Sequence, residues 1–311
     1  MGTPPFARTI LDALLVRPDP VVGVVCQPDR PRGRGLAVEP AAVKALALDR
    51  GLPVLQPARV RDPDFLDALR ALAPDLVVVA AYGRILPRAV LDLPPHGCIN
   101  VHASILPRHR GAAPIAHAIL AGDAVTGVSI MQMVEEMDAG DVLLVRDTPI
   151  RADDTAGSLT ERLADLGGAA LGEAIDGCRA GAIHPVPQPA EGVTFAPRIA
   201  RDDARLDWTR SAAALERCVR AMHPAPVAWT TVADRVLKVH RAAVAPEAAG
   251  AAPATVVRAD RHGLEVATGD GRLRLLEVQL EGKRRMDAAA FLAGHRVAPG
   301  TRLGDTAPAP T

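Results

Sequence analysis

Aromatic side chains are scarce in this 311-residue chain, at 2%, and net charge is missing altogether: 36 Lys and Arg stand against 36 Asp and Glu, with 49% hydrophobic residues. A neutral chain this apolar can build a core, which excludes disorder, collagen and coiled coil as global descriptions and leaves room for about two domains. No apolar run reaches the roughly 18 to 20 residues of a membrane span. The opening MGTPPFARTI also lacks a basic start followed by an apolar stretch. The expectation is a soluble cytoplasmic protein that meets no membrane.

Four cysteines, Cys26, Cys98, Cys178 and Cys218, form no C-x-x-C pair. Their scatter argues against structural zinc or a disulfide framework and for buried free thiols. His96, His109 and His117 lack metal-ligand spacing with a third ligand, so no metal is expected. The N-terminal glycines make no G-x-G-x-x-G, which leaves a dinucleotide reading weak. No Ser or Cys sits in a nucleophile elbow, so a covalent acyl-enzyme is not indicated.

Neutrality hides an asymmetry. Residues 1–200 hold 19 basic and 23 acidic side chains, whereas 201–311 hold 17 and 13. The C-terminal third therefore carries a modest basic excess that suits either a solvated face or a polyanion. Nearly all of the positive charge is Arg, with Lys only at positions 44, 238 and 283.

Short β-branched runs alternate with helical patterns through the first 150 residues. Strands are expected at 21–27, 52–56 and 75–83, with helices at 40–50 and 63–72, the pattern of a parallel sheet covered on both faces. CINVHAS at 98–104 adds a strand, and a helix is expected at 113–121. Residues 126–134 and 141–150 read as a strand pair, followed by helices at 158–164 and 169–180. The Pro-rich HPVPQPAEG at 184–192 supports neither helix nor central strand and reads as a linker. Beyond it come a helix near 212–222 and five short strands at 227–232, 235–244, 254–259, 263–271 and 272–280. Five strands divided by Gly, Asp and Pro turns suggest a small β-barrel of OB type. The fold class expected is thus α/β: a Rossmann-like parallel-sheet domain at 1–183, a linker at 184–203, an OB-like barrel at 204–303 and a disordered tail at 304–311.

The densest polar cluster in an apolar setting is INVHASILPRHRGAAP, residues 99–114. Asn100 and His102 lie two apart on a strand, so their side chains share a face. A carboxamide N–H is a neutral donor for a developing oxyanion, and an imidazole can donate or accept a proton at working pH. Together they suit acyl transfer through a tetrahedral intermediate. MDAGD, residues 137–141, can bring a carboxylate to that face on a tight loop. Spacing alone does not separate Asp138 from Asp141.

Read together, these strings resemble the methionyl-tRNA formyltransferases over essentially the whole chain. The resemblance rests on GTPPFA at 2–7, QPDRPRGRG at 27–35, VVVAAYGRILP at 77–87, GCINVHASILPRHRGAAPI at 97–115, TGVSIMQMVEEMDAGDVL at 126–143, ARLDW at 204–208 and EGKRRM at 281–286. It implies formyl transfer from 10-formyltetrahydrofolate to the amino group of methionine on initiator tRNA, by a monomer. By this likeness Asn100, His102 and Asp138 are the catalytic set. Folate is expected against Ala81, Tyr82, Gly83, Ile85 and Leu86, together with Ser104, Leu106, Pro107 and Asp138. tRNA is expected at Arg32 and Arg34 of the loop Arg30–Leu36, and at Lys283, Arg284 and Arg285.

Two departures from the pattern stand out. The loop continues as GRGLAVEP where relatives often carry lysines, so two positive charges are absent and Glu39 stands nearby. Relatives also place an apolar strand ending in F-M before GTP, whereas here Met1 precedes Gly2 directly. The central first strand is therefore expected to be missing, with Met1 corresponding to an internal methionine and translation beginning upstream. The alternatives are a formyltransferase acting on another amine, such as an amino sugar nucleotide or glycinamide ribonucleotide, and a non-catalytic RNA-binding protein on the same fold.

Overall fold

The computed structural model describes residues 1–32 and 37–304. They divide into two compact units, one built from residues 1–114, 125–149 and 159–197, the other from 115–124, 150–158 and 198 onward.

In the first unit, Val24–Val25 pairs in parallel with Val54–Leu55, and Val77–Val79 pairs in parallel with Cys98–His102. Cys98–His102 then pairs antiparallel with Val125–Gln132, which pairs antiparallel with Val142–Pro149. All five residues of Cys98–His102 are buried, as befits a strand covered on both faces. The flanking helices bury one stripe each. Pro63–Ala71 opens with Pro at its first turn and Asp64 near its positive end, carries Arg70 in its last turn, and buries Phe65 and Leu69 four apart. Each such side chain contributes about 1.5 to 3 kcal/mol when taken fully out of water. Pro5–Leu15 does the same with Phe6, Ala7, Ile10 and Leu11.

Between the two parallel pairs the seam is held by Met1 and Gly2. The Gly2 N–H donates to Val25 O at 2.9 Å, and the Ala80 N–H donates to Met1 O at 2.9 Å. Gly2 must lack a side chain: a Cβ there would meet Ala7 Cβ at 2.4 Å and Ala80 O at 2.6 Å. A cavity of about 1100 Å³ lies at this seam, walled by Val24, Val25, Val77, Ile99, Ile10 and Leu11. Among the described residues, Met1 and Gly2 are all that stands where the first strand is expected.

The second unit is an antiparallel sheet ordered Val256–Asp260, Gly263–Ala267, Arg272–Leu280, Arg235–Ala245, Ala228–Val232, with Met286–Asp287 added against Arg272–Leu280. The segment after the last helix joins its two ends. Leu303 N–H donates to Ala254 O and Gly304 N–H to Thr231 O, at 2.9 and 3.0 Å. Thr255 and Arg302 form an antiparallel bridge. This is the small barrel of the sequence reading, and its core is Trp208, Leu215, Trp229, Leu237, Leu264, Leu275 and Phe291 among others. The Ser211 hydroxyl caps the helix Ala212–Ala221 by accepting from Ala214 N–H at 3.3 Å.

Several expectations need correction. The helices at 158–164 and 169–180 are one continuous helix, Ala156–Arg179. Gly167 and Gly168 do not break it; they let it lie close to its neighbours, since a Cβ on Gly167 would sit 2.9 Å from Val101 Cγ1 and one on Gly168 2.8 Å from Ala13 Cβ. Residues 184–197, taken for part of a linker, belong to the first unit. Proline bars them from the interior of a sheet but not from its margin, and Val186 exchanges two backbone hydrogen bonds with Val142 at 2.8 and 2.9 Å. Cys26, Cys98 and Cys218 are buried, but Cys178, in the last turn of its helix, is exposed. Burial pushes the Cys98 thiol up to about 12 and the Cys218 thiol up to about 11. The backbone of Arg30–Arg32, where the arginine loop begins, pairs antiparallel with Ala37–Glu39. Residues 33–36 of that loop, including Arg34, lie outside the described residues, as does the tail from 305 on.

Candidate active site

Asn100 and His102 are buried on the strand Cys98–His102 and share a face. The loop between Val125–Gln132 and Val142–Pro149 brings Asp138 to that face. Asn100 Nδ2 lies 3.5 Å from Asp138 Oδ1, and His102 Nδ1 lies 3.6 Å from Asp138 Oδ2. Both separations are longer than a settled hydrogen bond, so the three groups are close without being spent on one another. The Asp138 side chain is 16% exposed and that of His102 6%.

The other contacts of these groups are short. His102 Nε2 lies 3.0 Å from the carbonyl oxygen of His109. A carbonyl only accepts, so Nε2 carries the hydrogen and Nδ1 turns toward Asp138, with its lone pair or, in the charged ring, with a second N–H. Asp138 Oδ2 accepts from the Gly111 N–H at 2.8 Å. Asp138 has φ +50°, a left-handed conformation that Asp tolerates better than most residues. Asp141 differs: the contact it makes here is through its main chain, its carbonyl accepting from Gln132 N–H at 2.8 Å.

The segment after the strand is tightly fixed. Ser104 Oγ donates to Arg108 O at 2.6 Å, Ser129 Oγ donates to Ser104 O at 2.8 Å, and Leu106 N–H donates to Ser129 Oγ at 3.1 Å. His109 sits at φ +58°, and its N–H donates to Thr194 Oγ1 at 2.8 Å. Gly111, at φ +126°, leaves no room for a side chain, because a Cβ would meet Ala196 O at 2.6 Å. The polar shell around the catalytic candidates is thus built from His109, Arg110, Gly111, Gln188 and Thr194. Sequence reading passed over Gln188 and Thr194, because both fall in the stretch 184–203 that looks like a connection between domains.

The residues expected to meet folate divide into two groups. Ala81, Gly83 and Ile85 present accessible surface, with Ile85 72% exposed, and Ala81 and Gly83 are left-handed at φ +46° and +75°. Tyr82, Leu86, Ser104 and Leu106 are buried, and Pro107 follows a cis peptide bond. Their side chains shape the loops in this conformation rather than line an open surface. Tyr82 O accepts from Gln27 Nε2 at 2.7 Å, while its hydroxyl is buried with no hydrogen-bond partner. In the second unit Lys283, Arg284 and Arg285 are exposed on the turn after Arg272–Leu280. Arg285 is paired with Glu277, Nε to Oε1 at 2.6 Å, and this pairing raises the guanidinium above its ordinary value and holds the carboxyl below its own. Lys283 and Arg284 are the more available cations of the three. Among the described residues, no group of three His, Cys, Asp or Glu could hold a metal ion, and no helix is long and apolar enough to cross a membrane.

Comparison with known proteins bears on this geometry from outside it. The family described as Formyl transferase matches residues 1–175, and that described as Formyl transferase, C-terminal domain, matches 198–296. The methionyl-tRNA formyltransferase of Myxococcus xanthus is 52% identical over 302 residues, 97% of this chain and 96% of that protein. The protein of the same name from Thiobacillus denitrificans is 49% identical over 304 residues, 97% of this chain and 98% of its own. Among solved structures, WlaRD, a sugar 3N-formyl transferase in the presence of dTDP and 5-N-formyl-THF, superposes with a TM-score of 0.66 at 16% identity, over 91% of this chain and 97% of its own. At that identity the likeness speaks for the fold alone.

Proposed function

The chain belongs to the methionyl-tRNA formyltransferases, and from that premise we propose that Asn100, His102 and Asp138 carry its reaction, the transfer of formyl from 10-formyltetrahydrofolate to the amino group of methionine on initiator tRNA. The observation that supports the assignment is the convergence of a carboxamide and an imidazole on one carboxylate within 3.6 Å, the imidazole and the carboxylate each anchored from behind by a shorter bond. The formyl donor is a substrate and supplies an activated amide carbon. What this chain supplies is charge management. As the amino nitrogen adds to that carbon, the carbonyl oxygen gains negative charge, which Asn100 Nδ2 and a protonated His102 are placed to meet. The nitrogen must lose a proton, and Asp138 is the acceptor; the charged His102 gives the proton on Nδ1 to the nitrogen of the departing tetrahydrofolate and then takes up the one held by Asp138, so both groups return to their starting states. The C–N bond of the donor then breaks and the new amide remains. No bond to the protein forms at any step.

Ala81, Gly83 and Ile85, with the Asp138 loop, form the folate face in this reading. Arg32, Arg34, Lys283 and Arg284 meet phosphates of the tRNA, and the enzyme acts as a monomer in the cytoplasm. The two alternatives, another amine as acceptor or binding without catalysis, have no comparable support, since relatives close to half identical along the full length carry the tRNA-directed name.

The deciding assay is formylation of methionyl initiator tRNA with 10-formyltetrahydrofolate. In single turnovers with both substrates saturating, His102→Ala and Asn100→Ala are each expected to slow transfer by roughly 100- to 1000-fold, the scale of losing one oxyanion donor. Wild-type rates in either variant would remove that residue from the mechanism.

A further inference from the structure

The loop that carries Asp138 is poorly secured by its own chain. Val134 and Met137 are exposed, and the Ala139 N–H reaches Glu136 O only at 3.5 Å. Yet Asp138 holds a left-handed conformation there, and its carboxylate stands in register with two buried side chains of the sheet. Something outside the loop must fix it.

The Gly111 N–H holds its carboxylate, and one carboxamide holds its backbone. Gln188 Nε2 donates to Asp138 O and to Gly140 O, both at 2.8 Å, so it grips the backbone on either side of Ala139. Its Oε1 accepts from Arg110 Nε at 3.1 Å and Arg110 Nη2 at 2.8 Å. The amide orientation follows from chemistry: two carbonyls require the NH₂ end and a guanidinium requires the oxygen end. Both donors and both lone pairs are used.

Arg110 is itself buried, and it lies between the two residues that orient the catalytic groups. His109 O accepts from His102 Nε2 on one side, and Gly111 N–H donates to Asp138 Oδ2 on the other. Gln188 therefore ties the Asp138 loop to the segment that sets the imidazole. Gln188 is delivered by a strap pinned at both ends, through the Val186–Val142 pair and through Ala196 N–H donating to Arg110 O at 2.7 Å.

We propose that Gln188 is a positioning residue of this active site, a carboxamide that grips the backbone on either side of Ala139 and so, together with the Gly111 N–H, fixes the Asp138 carboxylate against His102. The inference rests on the catalytic reading of Asp138 above. Gln188 touches no substrate in this role. A carboxylate of the same size would keep the partner for Arg110 but face two carbonyls with lone pairs, and an aliphatic side chain would strand the guanidinium as well.

The test compares Gln188→Glu and Gln188→Leu with the wild type and with Asp138→Asn, using full-length protein, methionyl initiator tRNA and 10-formyltetrahydrofolate. Both Gln188 variants should lose about 10- to 100-fold in single-turnover rate, the cost of a reacting group held about an ångström out of place, with KM for each substrate within about threefold of wild type. The pH profile of that rate should move in Gln188→Glu, because the group that takes the amine's proton no longer stands at its partner. In the Asp138→Asn background the same Gln188 change should cost less than about twofold, since there is no carboxylate left to position. An equal loss in both backgrounds, or wild-type rates with an unshifted profile, overturns the proposal. Should Gln188→Leu fail to fold, Gln188→Glu and its double variant decide the matter alone. An active Asp138→Asn single variant would instead overturn the catalytic reading itself, so the two failures are distinguishable.

Discussion

Each unit of the molecule has a carboxylate among polar partners, and the two are treated in opposite ways. In the barrel, Glu265 is buried, its side chain 2% exposed, and Oε1 accepts from Arg274 Nη2 at 2.6 Å and Nε at 2.9 Å. Arg258 and Arg272 each bring a guanidinium nitrogen to 3.7 Å. Three cations surround one anion; the short bonds all fall on Oε1, while Oε2 is buried without a hydrogen bond, its cation Arg272 standing 3.7 Å away. In the first unit, Asp138 takes its short bonds from the backbone of Gly111 and, through its own carbonyl, from Gln188. The side chains that would share its chemistry stand off at 3.5 and 3.6 Å. The structural carboxylate takes its short bonds from a charged side chain; Asp138 takes its own from main chain and stands apart from the side chains it would act with. Such a contrast separates a reactive cluster from a merely ionic one more reliably than charge or burial alone.

The sharpest way to break the contrast is to neutralise each carboxylate in place. Asp138→Asn should lower the single-turnover rate by about 10²- to 10⁴-fold, the range for a lost general base, with its melting temperature nearly unchanged. Asp141→Asn should remain close to wild type. If the inactive variant is Asp141→Asn, the wrong carboxylate has been placed in the mechanism.

Glu265→Gln should do the reverse. Replacing it leaves three guanidinium groups facing one another, at a cost of about 1 to 3 kcal/mol in urea unfolding, moderated because the arginines are 23% to 40% exposed and regain water. Transfer rate per folded molecule should not move. A Glu265→Gln protein of full stability and low rate would erase the distinction drawn here.

The smallest expected effects concern the cations of the two units. Replacing Arg32 and Arg34 together by Ala, or Lys283 and Arg284 together, should weaken tRNA binding and flatten its dependence on salt. The flattening should be roughly 0.7 to 0.9 in log–log slope for each phosphate contact removed. Folate KM should not respond. Superimposable salt curves for one pair would leave only the other unit in contact with tRNA.

Much of this was legible in the sequence, and for identifiable reasons. Asn100 and His102 share a face because strand side chains alternate, a rule that needs only their spacing. The alternating apolar runs gave the parallel sheet, and the turn residues gave the five barrel strands. What escaped depended on contacts distant in sequence. Asp138 could not be told from Asp141, because the choice is made by Gln188, fifty residues later in the chain, and by the Gly111 N–H. The two helices expected at 158–164 and 169–180 are one, because the glycines at 167 and 168 between them serve close packing, which a glycine's letter does not distinguish from helix weakening. The strap at 184–197 read as a connection because proline forbids the sheet interior and says nothing of the margin. The closure of the barrel by residues 302–304 was equally hidden, since that short stretch shows no alternation.

That closure also has a bearing on how the protein behaves in a crowded solution. A sheet with a bare outer strand offers a row of unpaired amide and carbonyl groups, the template on which strands of neighbouring molecules add to form aggregates. Here Leu303 bonds to Ala254 on one side and Gly304 to Thr231 on the other, while Val186 covers part of the outermost strand of the first unit, Val142–Pro149. Irregular backbone thus stands guard where regular backbone would invite a partner. Loosening either segment should expose the protein to self-association well before it exposes it to unfolding.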